Sequence, residues 1–276
     1  MKRFYLLLAI FAFASTYALA GGGWTKQKGT GYYKVSHWWV SAAKYYTFDG
    51  NTAASVKEGI FNTSIFAEYG VTDRFTAIVN LPYSKSANAN ESVTGIGDTD
   101  VAFKYRLTKP SSKFVLAGTL LLGLPLGEEA GGSDGSLQTG DGEFNQMMRL
   151  DLSRSFQIGS VNAYANVYTA YNNRTENFSD EMRIGAEVGG GFLNNKIWAI
   201  LRLDVVESFG NGTESTALSD GATIFANNTE YAAYTTEIAG YITEKIGVSA
   251  STASVFSASN IFAAPSYSLG VFVDLK

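Results

Sequence analysis

Charged residues recur at two-residue spacing through this chain, each set alternating with apolar neighbours. Asp98, Asp100, Lys104 and Arg106 interleave with Val101, Phe103, Tyr105 and Leu107. Arg183 and Glu187 interleave with Met182, Ile184, Ala186 and Val188, and Arg202 and Asp204 with Ile197, Ala199, Leu201, Leu203 and Val205. Glu143, Arg149, Asp151 and Glu237 lie in segments of similar, less regular pattern. In an extended strand such spacing puts every charge on one face. A wall of mixed sign on neighbouring strands forms cross-strand ion pairs that fill a narrow lumen, or it lines a wet channel. Because both signs occur, strong selection for anions or for cations is not implied.

Other chemistries find little support. His37 is the one histidine, in register with Val35 and Trp39. An outward or interfacial position is expected, and no serine and orienting partner are spaced for a nucleophilic triad. The absence of cysteine removes disulfides, thiolate metal sites and thiol nucleophiles. Asp98-Thr99-Asp100 and the loop carboxylates Glu128, Glu129, Asp134 and Asp141 offer oxygens without an ordered calcium-loop spacing. Gly131 to Gly135 and Gly189-Gly190-Gly191 precede no helix start and do not read as phosphate cradles. The reading is of a protein that is not an enzyme and uses no metal or cofactor. With acidic residues in excess, 25 against 21 basic, nothing argues for nucleic acid.

The elements that position these charges are strands. Alternating segments run over 32–40, 58–69, 75–83, 101–107, 114–124, 143–154, 161–171, 182–188, 197–205, 231–242, 246–256 and 267–275. They make about twelve strands, most close to the ~9–11 residues of a tilted membrane-spanning strand. Short links at 71–74, 108–113, 155–159, 193–196 and 243–245 alternate with long ones at 41–56, 84–95, 125–142, 172–180, 208–229 and 257–265. That sorting predicts an all-β, antiparallel transmembrane β-barrel with short periplasmic turns and longer extracellular loops. Tyr69, Phe75, Tyr105, Phe114, Phe192 and Tyr241 near the short turns are expected to form one aromatic girdle. Trp38, Trp39, Tyr83, Phe144, Tyr168, Tyr171, Phe209 and Tyr231 near the long links are expected to form the other.

The first residues set the compartment. Lys2 and Arg3, the apolar run Phe4 to Phe13 and Ala18-Leu19-Ala20 make the three parts of a secretory signal over residues 1–20. Its apolar run is shorter than the roughly 20 residues of a spanning helix. Residues 21–276 would then form the barrel in the outer membrane of a Gram-negative-type bacterium, with outer-membrane lipids as partners.

The stretch Gly95-Ile96-Gly97-Asp98, followed by a strand ending Lys104-Tyr105-Arg106, resembles the outer-membrane transporters called the MetA-pathway of phenol degradation family. The likeness continues through the apolar strand into Leu124-Pro125-Leu126-Gly127 and Thr139-Gly140-Asp141-Gly142-Glu143-Phe144, and covers Tyr69 to Tyr171. It implies a barrel passing small, often hydrophobic or aromatic compounds, and brings no established catalytic residues. Pro125-Leu126-Gly127 stands where the family usually has Pro-Thr-Gly. Related long-chain fatty acid channels carry an N-terminal plug; here Gly21 to Gly29 alone precede the first strand, too few residues for one.

Two functions follow. The first is passive passage of a small solute along a lumen lined by the twelve charged residues named in the opening lines. The alternative is a non-conducting surface scaffold or binding protein that acts through the loops 125–142 and 208–229.

Overall fold

The computed structural model describes residues 22–133, 135–213 and 223–276. The proposed signal at 1–20 and the loop carboxylate Asp134 lie outside the described residues.

The chain forms strands β1 (Gly31–Tyr46), β2 (Thr52–Thr72), β3 (Phe75–Ala87), β4 (Ser92–Ile96), β5 (Thr99–Arg106), β6 (Val115–Leu124) and β7 (Asn145–Ile158). It continues with β8 (Val161–Asn173), β9 (Glu181–Phe192), β10 (Ile197–Ser208), β11 (Glu230–Tyr241), β12 (Ile246–Ser259), β13 (Ile261–Phe262) and β14 (Ser266–Leu275). Every pairing is antiparallel, and all but the closing pairs of β1 with β13 and β14 join staves that follow one another along the chain. β4 and β5 both pair with β3 and make one stave interrupted at residues 97–98; β13 and β14 both flank β1 and make another. The result is an up-and-down barrel of 12 staves. It closes because β1 pairs on one side with β14, Gly31 opposite Leu275, and on the other with β2, Gly31 opposite Tyr69. Closure leaves no edge, so the wall's amides and carbonyls pair within the sheet, as hydrocarbon surroundings demand.

Alternation decides which way each side chain points. On β14, Tyr267, Leu269 and Val271 are exposed outward while Gly270, Phe272 and Asp274 are buried inward. The same split leaves Phe103 and Tyr105, Leu150 and Leu152, Leu201 and Leu203 on the outer surface. Tyr69, Tyr105, Phe114 and Phe192 face outward near the short turns, and Tyr83, Tyr171, Phe209 and Tyr267 near the opposite end. Four girdle expectations are corrected. Trp38 and Tyr241 join interior clusters, Tyr168 bonds Asp204, and Tyr231 lies among Arg183, Glu181 and Asp204. Their strand parity is that of the charges, and parity overrides the outward preference of aromatics.

Three of the expected long loops are mostly strand. β1 and β2 pair up to Tyr46 opposite Thr52, β3 and β4 up to Ala87 opposite Ser92, and β12 runs to Ser259. Ser, Thr, Asn and Ala dominate these extensions, so neither face is apolar and no alternation betrays the strand. Backbone pairing alone carries them. The long connections that remain are 125–144, 174–180 and 209–229.

Candidate transport lumen

At the short-turn end the lumen is filled. Residues 22–30 turn inside the wall before β1 begins. Trp24 packs edge-on against Tyr164, ring centroids 5.7 Å apart. With Tyr32 and Tyr241 it completes an interior cluster of Tyr164, Trp198, Ile200, Ala239 and Phe272. Polar ties hold the segment to both sides: Gly23 N–H donates to Ser153 Oγ at 2.8 Å and Lys26 N–H to Thr76 Oγ1 at 2.8 Å. Lys26 Nζ meets Asp274 at 3.3 Å, and Lys28 N–H donates to Asp73 at 2.9 Å. The expectation that these residues are too few for a plug is thus corrected. A narrow barrel needs one inserted indole and a short tether, not a domain. The glycines of β9 also gain a reason: a Cβ on Gly189 would collide with the Tyr164 ring.

Above the plug, one arc of the wall carries long charged chains. Arg202 on β10 bridges Glu187 on β9 and Glu237 on β11, the latter at 2.7 Å. Arg149 forms a two-pronged pair with Asp151, 2.9 and 2.7 Å, and its guanidinium lies 3.6 Å from the centre of the Tyr168 ring. Tyr168 Oη donates to Asp204 at 2.6 Å and Tyr164 Oη to Glu187 at 2.7 Å. Arg183 pairs with Glu181. Lys104 reaches Glu68 at 3.6 Å across β3. Asp100, opposite Asn80 in the ladder, lies within electrostatic range of Arg183.

The other arc carries mostly small side chains beside Lys34 and Glu68. Ser64, Ser36, Gly270 and Ser249 follow one another across β2, β1, β14 and β12, and Ser268 faces Ser251 in the next inward row. Ser36 and Ser64 hydroxyls are 3.1 Å apart. The Lys34 side chain crosses this arc over Gly270 on its way to Glu237. Although they point inward, the side chains of Arg149, Arg183 and Arg202 remain 27%, 33% and 29% exposed. Solvent space therefore lies inside the wall at their level.

At the far end Arg174, only 6% exposed, gathers three carboxylates: Glu143 at 2.6 Å, Asp141 at 2.9 Å and Glu181 at 3.1 Å. Asp98 accepts Asp141 N–H at 2.7 Å and Gly127 N–H at 3.0 Å, fastening the loop 125–144 to the break between β4 and β5. Burial, reinforced by neighbouring Glu143, pushes the Asp141 carboxyl up to about 8. Burial likewise raises Glu143, against the pull of Arg174. Leu137, Gln138 and Thr139 are buried. Gln138 Oε1 accepts from Thr223 of the loop 209–229 at 3.3 Å. Ile224 and Phe225 of that loop pack on Val40, Ala42, Ile60 and Phe262 of the inner wall. The described parts of both long loops thus fold inward at the mouth.

Of the charges singled out in the sequence, Asp100, Lys104, Arg149, Asp151, Arg183, Glu187, Arg202, Asp204 and Glu237 occur on the inward faces of their staves. Three do other work. Arg106 donates to the carbonyls of Lys109 and Pro110, both at 3.2 Å, and staples a short turn. Asp98 and Glu143 anchor the loop 125–144. Sequence reasoning passed over Trp24, Lys34, Glu68 and Arg174. Lys34 shares the inward register of β1 and was legible there; Arg174 sits in a loop, where no periodicity marks it. Among the described residues no cluster of acidic or histidine side chains has the geometry of a metal site. His37 faces outward, Nδ1 3.0 Å from Thr63 Oγ1, and its ring stacks on Trp39.

No family model matches the chain, and no curated protein does. Among solved structures, an outer membrane channel from Pseudomonas putida F1 aligns over 94% of this chain and 100% of its own, with TM-score 0.60 and 15% identity. At that identity the likeness shows the fold alone. The KdgM porin in complex with oligogalacturonate aligns over 89% of this chain and 99% of its own, at TM-score 0.48 and 10% identity. The β domain of the Bordetella autotransporter BrkA aligns over 90% and 100%, at TM-score 0.49 and 12% identity. These two fall too low to bear on the question.

Proposed function

We propose that this chain is an outer-membrane channel for a small solute, exported with removal of residues 1–20 and closed at rest by its own N-terminal segment and its folded loops. The observation that carries this reading is the solvent-exposed, inward-pointing trio Arg149, Arg183 and Arg202 between the Trp24 plug and the mouth. A barrel meant only as a scaffold gains nothing from hydrated space there, since small barrels fill with side chains. The scaffold reading also expects outward loops, whereas Leu137, Thr139 and Ala226 are buried. The small inner arc and the paired charges suit a polar solute better than the hydrophobic or aromatic compound that the phenol-degradation resemblance implies. Desolvating paired ions against an apolar solute is costly.

Planar-bilayer recording tests the proposal. The wild-type barrel should open rarely, and a variant lacking residues 22–28 should show discrete, larger steps. If neither conducts, the channel reading fails and the scaffold takes its place.

A further inference from the structure

Among the described residues, Arg154 is the only arginine with outward parity on a stave. It follows Leu150 and Leu152 along β7, both exposed on the outer surface, while Asp151 and Ser153 between them are buried inward. It also stands at a step in the short-turn rim. The β6–β7 ladder ends at Val115 opposite Ser153, whereas β7 and β8 stay paired as far as Ile158 opposite Val161. The β7–β8 hairpin therefore projects beyond the turn 107–114. In the corner so formed lies a groove of about 390 Å³, walled by Phe114, Leu152, Phe156, Ala165 and Val167, with Arg154 at its head.

The Arg154 guanidinium lies 4.9 Å from the centre of the Phe114 ring, a cation–π contact that holds it at the groove. Lys113, exposed, precedes Phe114 at the same corner. Neither cation belongs to the ion pairs of the described residues, which lie on the inner face or at the mouth. A cation with outward parity is costly on a lipid-facing wall unless it sits near the interface, where a headgroup anion can meet it.

We propose that this corner binds an anionic phospholipid of the inner leaflet, with its phosphate on Arg154 and Lys113 and an acyl chain laid along Leu152 and Val167.

Height and charge select that occupant. The short turns mark the periplasmic end, so the groove opens toward the phospholipid leaflet. It starts at two cations and continues up a wall of exposed apolar side chains, so its occupant carries an anion at one end and hydrocarbon at the other. An acidic segment of a periplasmic protein meets the first need and not the second. A guanidinium presents parallel N–H donors that match a phosphate's oxygens. Two cations favour a headgroup of net negative charge over a zwitterionic one, whose own ammonium already offsets its phosphate. A site on the outer wall is independent of conduction through the lumen, so failure of either reading leaves the other standing.

Native mass spectrometry of the refolded, delipidated barrel tests the site, with dioleoylphosphatidylglycerol or dioleoylphosphatidylcholine added at equal concentration in detergent micelles. Wild type should hold phosphatidylglycerol about ten-fold more tightly than Arg154→Gln, the scale of one lost charge-assisted contact. The two should hold phosphatidylcholine equally. Lys85→Gln removes an outward cation near the opposite end and should bind like wild type. Excess glycerol 3-phosphate should leave the lipid in place. Equal phosphatidylglycerol binding by wild type and Arg154→Gln overturns the inference, as does an equal loss in Lys85→Gln, which would reduce it to diffuse charge attraction. Displacement by glycerol 3-phosphate overturns it too, because the corner would then take a free anion without the chain. A wild-type dimer that Arg154→Gln disperses would give the groove to a second copy and overturn it likewise.

Discussion

Lys34 on β1 reaches over two neighbouring staves to place its ammonium 3.2 Å from Glu237 on β11. The path crosses Gly270 of β14, where a Cβ would fall 2.6 Å from Lys34 Cε. Glu237 also binds Arg202, which binds Glu187, so four residues on four staves share one ion network. Replacing Glu237 with Gln should leave Lys34 and Arg202 under-compensated at partly buried positions. A loss of about 3 kcal/mol is expected, the scale for removing one partner of a buried pair. Urea unfolding of the refolded barrel reads it, and an unchanged midpoint would show the network to be stabilising nothing.

Trp24→Ala should unseat the plug without opening the wall. Truncating a fully buried Trp removes about 3–5 kcal/mol of packing; the partly buried Trp24 should lose less, and from the anchorage of residues 22–30 and not from the strand ladder. Conductance should rise while the global unfolding midpoint stays near wild type. A large fall in the midpoint would mean that the indole is part of the barrel's core and not a removable stopper.

Arg202→Glu should change conductance and ion preference, since the residue projects into hydrated space. Arg106→Gln should change neither, because its guanidinium binds the carbonyls of Lys109 and Pro110 at the short turn. Recording both variants in asymmetric salt separates the two positions. Equal effects would contradict the placement of Arg106.

The loop 125–144 should loosen as pH rises. A carboxyl raised from its ordinary value to about 8 when docked binds more protons docked than free. Docking stability is therefore fully present below the free value near 4 and falls as pH climbs toward 8. Glu143, raised in the same direction, adds to the slope. Limited proteolysis of the loop between pH 5 and 9 should show faster cutting at the alkaline end, and Asp141→Asn should flatten the trend. A trend of opposite sign would mean that Arg174 outweighs burial.

Arg174→Met should free the same loop from neutral pH upward, where its carboxylates are charged. It leaves Asp141, Glu143 and Glu181 without their common cation, a cost of about 3–5 kcal/mol for a buried charge left unpaired. The loop should become protease-sensitive in the variant at pH 7. Wild-type resistance would show that the Asp98 contacts hold it unaided.

The sequence by itself determined the barrel. Period-two alternation at 101–107, 197–205 and 267–275 dictates which side chains meet lipid and which meet the interior, because parity in a strand leaves no third choice. It also placed Arg149, Asp151, Arg202 and Glu237 on inward faces from their spacing alone. Only the tertiary structure decided what lies within. The height of the staves beyond the apolar band was hidden, since Ser- and Asn-rich strands look like loops when neither face is apolar. That Trp24 enters the lumen, that Lys34 finds Glu237 three staves away and that Arg174 gathers carboxylates from the loop 125–144 and β9 depend on distances across a closed curve. Those distances are set by strand count and stagger, and no local pattern in the chain encodes which side chains converge at the same height inside the cylinder.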